Sequence, residues 1–297
     1  YLGSRFWAIG TPSGSTLAPE GAQHQSLLAP VIGKDMPNTV TWEPAFPDEL
    51  DHITAESLRL AAEGRDEARR VVYYRLSTLP VDRSVLWQRL KEQTIHRLEE
   101  ADLREHWMKD VLAGGYRLVD YRGYEGYDPA ENVVNLVASG TMVQEALAAS
   151  DALKRRGIFA NVIVVASPTL LIGNLAEKTD YSHLKKLIPA EERRTVPVVT
   201  VADASPSYLA GIGDILGIAA GVRNLGLRKN GISARSIHKI YRHHGISRVD
   251  IALRAYALLK QARAEDGASL GREGHPLAKV WAVAGTAGLV VGGAVHF

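Results

Sequence analysis

Asn132–Ala166, NVVNLVASGTMVQEALAASDALKRRGIFANVIVVA, decides the fold class of this chain. Its two ends, Asn132–Ala138 and Ile158–Ala166, are β-branched apolar runs with few polar breaks and look like strands. Between them Ser139-Gly140-Thr141 turns into a helical pattern from Met142 to about Arg156. Thr141, with Gln144 three positions on, predicts a capping box, and Gly157 stands where a left-handed helix end is expected. Strand, helix and strand within about 35 residues make a parallel crossover unit.

The pattern extends both ways. Upstream, Tyr116–Tyr121 reads as a strand, joined to the unit by the loop RGYEGYDPAE. Before it, Asp48–Ala62 has a helical period ending near Gly64, and Val71–Leu76, VVYYRL, reads as a buried strand. Val85–Leu112 is predicted as one long polar helix, with Leu86, Leu90, Leu98, Val111 and Leu112 on its apolar side and Gly114-Gly115 as its stop. Its mixed charges read as a solvated face. Downstream, Val196–Val201 is a short apolar strand. Ala234–His244 is a short helix with Ile237, Ile240 and Tyr241 inward, closed by Gly245. Arg248–Ala264 is a stronger one, with Val249, Ala252, Leu253, Tyr256 and Leu259 available for burial. Alternating strands and helices argue for α/β layers.

The 297 residues suffice for two domains. Apolar content of 46% and charged content of 23% are those of an ordinary soluble globular protein. The 35 basic and 33 acidic residues leave a net charge of +2, so composition shows no electrostatic footprint for nucleic acid. With no cysteine, disulfides and thiolate metal sites are excluded. No basic n-region precedes an apolar h-region, so no signal peptide is visible and a cytoplasmic location is expected. The start at Tyr1 reads as the interior of a longer polypeptide. Val280–Val295 carries no charge, yet falls short of the roughly 20 apolar residues of a membrane span.

Chemistry-bearing residues concentrate in Ser15–Leu50, STLAPEGAQHQSLLAPVIGKDMPNTVTWEPAFPDEL. Its polar, Gly- and Pro-punctuated start delivers Glu20, Gln23, His24, Gln25 and Ser26 within seven positions. Loops over a rigid sheet are the usual place for binding and catalysis. His24 is a candidate acid/base because imidazole carries protons near neutral pH; taken alone it reads equally as a loop histidine bonded to backbone. GIGDILG is neither GxxxxGK[ST] nor GxGxxG, so Gly211, Gly213 and Gly217 read as packing or loop glycines. His238, His243 and His244 read as polar helix-end residues, since adjacent helical positions point about 100° apart. Ser139-Gly140-Thr141 suits an anion at a helix start or a plain cap.

At EGAQHQS, MPN, WEPAFPDEL and VVYYRLSTLP the chain resembles the transketolase-like thiamine-diphosphate enzymes, above all the homodimeric bacterial pyruvate dehydrogenase decarboxylating component. The similarity resumes at GGYRLVDY, at VVNLVASGTMVQEALAASDALKRRGIFANVIVVASPTLL and at RSIHKIYRHHGIS. It covers residues 15–80 and 110–262. The family's EGxQH loop continues with an Asp- and His-rich insertion that is missing here, where His24 runs directly into Gln25-Ser26. Val81–Asp102 looks longer than the family's connection, and Ala268–Phe297 matches nothing in it.

The resemblance implies an α/β fold: a partial pyrimidine-binding domain in residues 1–113, a transketolase-type C-terminal domain with a mostly parallel sheet in residues 114–266, and a tail of unknown role in residues 267–297. It implies that His24 faces the thiamine adduct and helps position a 2-oxo acid such as pyruvate, and that Glu20 and Gln23 belong to the same substrate-binding loop. The implied cofactors are thiamine diphosphate and Mg²⁺. The family's GDG…Asn motif that holds the diphosphate and metal is absent, and the glutamate that activates the aminopyrimidine would lie before Tyr1. The chain is then expected to need an N-terminal half or partner subunit, in a homodimer-type assembly, and a lipoyl-bearing acyltransferase as acceptor. The rival readings are transketolase-type two-carbon transfer between sugar phosphates, for which Arg75 is the one strand-end cation, and a non-catalytic oligomerisation or docking module.

Overall fold

The computed structural model describes residues 6–10, 14–63, 71–93, 99–173, 180–229 and 232–265. Val280–Val295, Leu98 and the helix end expected near Gly64 lie outside them. In chain order the first layer is β1 (Phe6–Gly10), α1 (Ala29–Asp35), β2 (Thr39–Trp42), α2 (Pro47–Glu63) and β3 (Val71–Arg75). Its three strands are parallel in the order β1-β3-β2. Two helices follow, α3 (Ser84–Lys91) and α4 (Glu100–Leu112).

The second layer holds β4 (Gly115–Val119), β5 (Val133–Ser139), α5 (Met142–Lys154), β6 (Phe159–Val165), α6 (Pro168–Leu171), α7 (Ser182–Leu187), α8 (Ala190–Thr195), β7 (Val198–Val201), α9 (Ser207–Leu216), β8 (Val222–Leu225), α10 (Ile237–His244) and α11 (Arg248–Glu265). Its strand order is β4-β6-β5-β7-β8, with only β4 antiparallel. The crossover unit read from Asn132–Ala166 is therefore β5-α5-β6, at the centre of the sheet.

Alternation along these strands divides the core. Val134, Leu136, Ala138, Val162 and Val164 join α5, α11 and the first layer in one apolar cluster. Val137, Ile163, Val165 and Val198 face α7 and α9 in another. A sheet covered on both sides favours apolar residues on both faces of each strand, and the two polar breaks in the motif, Asn135 and Asn161, are buried and bonded to each other at 2.9 Å.

Several expectations are corrected. Val85–Leu112 is not one helix. α3 ends at Lys91 because buried Gln93 leaves the helix to donate its side-chain Nε2 to the carbonyl oxygens of Arg117 (2.8 Å) and Leu118 (3.3 Å). Thr141 makes no capping bond, since its own backbone is already helical (φ −61°, ψ −25°). Gly157 does close α5 in the left-handed region (φ 75°), with the Ile158 amide reaching back to the Leu153 carbonyl. On α11, Val249 and Leu253 are 50% and 46% exposed; Ile251, Ala255, Leu258, Leu259 and Ala262 are the buried stripe. The apolar residues of that helix lie on two faces, and spacing alone did not say which meets the sheet. β1 and β8 were not foreseen as strands, and α10 begins only at Ile237. Gly211 and Gly213 are helical residues of α9 in close approach to Ile172 and Val222, and Gly217 closes that helix at φ 59°.

The two layers share one core around Trp107, whose ring meets His52, Trp87 and Tyr116 edge-on at 5.6, 5.0 and 5.9 Å. Beside it the fully buried Glu49 of α2 accepts hydrogen bonds from the Tyr116 hydroxyl of β4 (2.6 Å) and the Ala45 amide (2.9 Å). Burial raises Glu49 from its ordinary 4.5 to about 7, against the pull of these donors. A carboxyl that holds its proton more tightly when folded carries no penalty below about pH 4.5; the penalty grows as pH rises to about 7 and is complete above it. Glu49→Gln keeps both partners and removes the ionisation. In urea titrations its stability relative to the parent chain is expected to rise by on the order of 3 kcal/mol between about pH 4.5 and pH 8. A difference that stays flat with pH would contradict a buried titrating Glu49.

Candidate functional site

The polar loop that follows β1 is closed at its own neck. Gly14 and Ser26 exchange two backbone hydrogen bonds (Gly14 N to Ser26 O 3.1 Å; Ser26 N to Gly14 O 3.2 Å). Within the loop, the amides of Ala18, Glu20 and Gly21 turn back on the carbonyls of Ser15, Leu17 and Ala18, and Ala22–His24 is a single 3-10 turn. At its exit Ser26 Oγ accepts from the Ala29 amide at 3.1 Å, where α1 begins.

One carboxylate holds this loop to the second layer. Asp203, just past the end of β7, accepts from the Ser15 amide (2.8 Å), the Ser15 hydroxyl (2.6 Å) and the Thr16 hydroxyl (2.7 Å). All three residues are buried. Gly14 sits so close that a Cβ there would lie 2.0 Å from the Asp203 carbonyl oxygen, and its φ of 80° is also unfavourable to a side chain. On the far side Ser233 Oγ donates to the Ala18 carbonyl at 2.8 Å, and Gln25 Nε2 to the Ile232 carbonyl.

Arg75 continues the network. Its guanidinium donates to the Asp203 carbonyl and pairs with Glu43, both partners being buried. Burial opposes the charge on Arg75, yet Glu43, Tyr208 and Asp203 together hold it above its ordinary value. Glu43 in turn donates its backbone amide to the Ala166 carbonyl at 2.8 Å, stitching the end of β2 to the end of β6. Gly140 (φ 50°) approaches the Glu43 carboxylate so closely that a Cβ would stand 2.4 Å from Oε1. The start of α5, read as an anion site or a cap, is thus faced by the protein's own carboxylate.

Past these strand ends opens a cleft of about 320 Å³, walled by Pro44, Phe46, Leu50, Leu76, Leu79 and Val81. A narrower pocket lined by Thr16, Glu43, Arg75 and Gly140 adjoins it through shared Pro44, Leu76, Ser77 and Thr141. The carboxyl ends of parallel strands are where α/β sheets bind ligands.

Glu20, Gln23 and His24 share the exposed tip of the pinned loop. None of the three lines the cleft or the narrow pocket. His238 is exposed, 3.8 Å from Glu145 Oε1, and the His243 and His244 rings meet edge-on at 5.3 Å. Among the described residues no group of three His, Asp or Glu side chains is placed to hold a metal. Asp203, Glu43 and Arg75 carry the architecture of the site without having been singled out together. The one available signal was their position at the ends of apolar strand runs.

No family model matches the chain. In sequence it is 28% identical over 147 residues to the pyruvate dehydrogenase E1 component of Cupriavidus necator, a match covering 49% of this chain and 14% of that protein. In structure, transketolase from Campylobacter jejuni aligns with a TM-score of 0.55 at 17% identity, over 84% of this chain and 31% of its own. A split-gene transketolase described as an inactive beta4 tetramer aligns with a TM-score of 0.50 at 20% identity, over 86% of this chain and 67% of its own. The resemblance to transketolase-like thiamine-diphosphate enzymes is therefore carried by sequence on the dehydrogenase side and by fold on the transketolase side. The chain spans a minor part of the dehydrogenase component and of the Campylobacter transketolase.

Removing the Asp203 carboxylate leaves the donors of Ser15 and Thr16 buried and unmatched. Asp203→Ala is expected to cost about 2–4 kcal/mol in denaturant titrations. Amide exchange should accelerate at Gly14, Ser15 and Ser26 more than along β5. Unchanged exchange at the loop neck would mean that Asp203 does not hold it.

Proposed function

We propose that the chain is the C-terminal part, or a subunit, of a thiamine-diphosphate-dependent 2-oxo acid dehydrogenase component that decarboxylates pyruvate and passes the acyl group to a lipoyl-bearing protein. The observation that carries this reading is the loop itself. A Glu-x-x-Gln-His pattern stands exposed on a turn whose base is tied through Asp203 to the ends of parallel strands of both sheets. An exposed turn on a rigid base fits a residue that must meet a substrate held partly by another polypeptide. The similarity to a pyruvate dehydrogenase E1 component supports the same choice.

The described residues do not fit the diphosphate and Mg²⁺ end of the cofactor. They offer no metal-ligand cluster, and the sequence has no GDG…Asn motif. That end is assigned to an N-terminal half or a partner subunit. When bound, thiamine diphosphate supplies the electron sink that decarboxylation of a 2-oxo acid needs. This chain's share is positional and protonic. His24, free of the core, holds a proton donor at the keto oxygen of the substrate, where negative charge develops. Glu20 and Gln23 share the exposed turn that carries it. The apolar walls of Phe46, Leu50 and Leu76 keep water from the neighbouring cleft.

A need for further polypeptide is also supported by β1. Parallel sheets are normally covered on both faces, yet Phe6 and Ile9, on opposite faces of this edge strand, are 51% and 63% exposed. The outer edge of β1 has no strand partner among the described residues.

Transketolase-type transfer requires cations that line the cleft and grip a sugar phosphate there, and of the residues lining the cleft and the narrow pocket Arg75 alone is a cation. Arg75, the strand-end candidate, is buried against Glu43 instead. Reconstitution separates the readings. The chain is mixed with a protein carrying the diphosphate-binding half, thiamine diphosphate and Mg²⁺, and reduction of an artificial electron acceptor is followed. Pyruvate-dependent reduction that falls about 10²–10⁴-fold in His24→Ala is expected. Turnover of ketose phosphates alone, or inactivity with every partner, would overturn the proposal in favour of transketolase or of a docking module.

A further inference from the structure

Between Asp214 and Asp250 the sequence carries seven Lys and Arg and no Asp or Glu, in a chain whose totals are 35 and 33. Two of the seven are accounted for. Arg248 is bound to the buried Glu145 carboxylate at 2.6 Å, and Arg223 reaches Gln261 at 3.4 Å. Arg228, Lys229, Arg235, Lys239 and Arg242 are exposed, and among the described residues none of them has an ion-pair or hydrogen-bond partner for its side chain.

These five stand on the stretches 228–229 and 235–242, which flank the contacts of Ile232 and Ser233 with the candidate loop. α10 turns Ile240 and Tyr241 into the core, which leaves Lys239 and Arg242 three residues apart on its outer side. Lys229 is near enough to the end of α10 to act with burial and His243 in lowering the His244 pKa. Arg235 stands between Ser233, bonded to Ala18 of the loop, and Ser236, where α10 starts. The Leu227 amide is bonded to the Ala204 carbonyl at 2.7 Å, next to Asp203, so Arg228 follows directly from the loop's anchor.

Helix polarity favours cations at the last turn of α10 and so explains Arg242 and His243. It does not reach Arg228, Lys229 or Arg235, which lie off the helix. A field of one sign repels itself and is kept where it meets an opposite one. None of the five lines the cleft or the narrow pocket, so the field faces outward, as for a macromolecule. Single-stranded nucleic acid is bound by cations interleaved with stacking aromatics; between Gly226 and Gly245 the one aromatic residue is Tyr241, and it is buried.

We infer that Arg228, Lys229, Arg235, Lys239 and Arg242 form the docking surface for an acidic, lipoyl-bearing protein domain, which presents its carried group to the adjacent Ser15–Ser26 loop. The inference rests on the dehydrogenase reading, because that reaction hands its product to a protein-borne acceptor.

The test measures fluorescence anisotropy of the full chain with three labelled probes: an isolated lipoyl domain with an acidic surface, the same domain with those acids changed to amides, and a short DNA duplex. Binding to the acidic domain that weakens from roughly 50 to 200 mM salt is expected. Lys239→Glu combined with Arg242→Glu should raise its Kd about tenfold, while Lys185→Glu, an exposed control on α7, leaves it unchanged. Equal affinity for the amidated domain, tighter binding of DNA, or indifference to the double reversal would overturn the proposal. Artificial-acceptor reduction in the reconstituted enzyme keeps the two readings apart. If the acidic domain binds as expected but no pyruvate-dependent reduction is found, the dehydrogenase reading fails and the surface stands. Reduction without charge-dependent binding sinks the surface alone.

Discussion

The structure turns on the Asp203 carboxylate. It takes three donors from the loop, while its own backbone carbonyl takes the Arg75 guanidinium, and Arg75 holds Glu43. One residue at the end of β7 therefore fixes the position of a loop that follows β1 and of the ends of β2 and β3. Burying these charges is costly, and the Coulomb gain between them roughly offsets the loss of water. What the arrangement secures is geometry. Each group has a defined opposite number, and displacing one exposes a buried charge. Gly14 and Gly140 belong to the same design, because a side chain at either would push the carboxylates of Asp203 and Glu43 away.

Around this knot the two sheets have different characters. The second has five strands packed on both faces, with Arg117, Glu192, Asn135 and Asn161 cross-linking its buried polar interior. The first has three strands, and its edge strand exposes apolar groups on either side. The candidate loop belongs to the first sheet by sequence and to the second by its bonds. On the proposed function, a site completed by another polypeptide gains from a half that is held rigid beforehand.

Much of the fold was legible. The apolar runs at Val133–Ser139 and Phe159–Val165, with a helical pattern and Gly157 between them, point to a parallel crossover unit even though Asn135 and Asn161 interrupt them. What escaped reading depended on distant partners. Nothing local distinguishes the Gln93 that ends α3 from a helical glutamine; its acceptors are two carbonyls of β4. Thr141 carries the letter of a cap but not its backbone conformation. On α11 two apolar stripes compete, and the choice of Ile251, Leu258 and Ala262 belongs to the sheet beneath. Glu20, Gln23 and His24 were visible as candidates in a dense polar loop, whereas Asp203 lies more than 180 positions from Ser15 and shows its role only when the chain is folded. The cations of residues 228–242 were hidden by a nearly neutral total.

The double hydrogen bond between Gly14 and Ser26 makes the loop a cassette. Bulk introduced at the exposed tip, around Glu20 and His24, stays outside the clasp, because the chain enters and leaves at one point and its buried contacts run through Ser15, Thr16, Ala18 and Gln25. Residues at the tip are thus free to drift, to lengthen or to be exchanged for another set, while the clasp and its aspartate stay constant. Diversification of specificity in such a scaffold can proceed by transplanting the cassette alone.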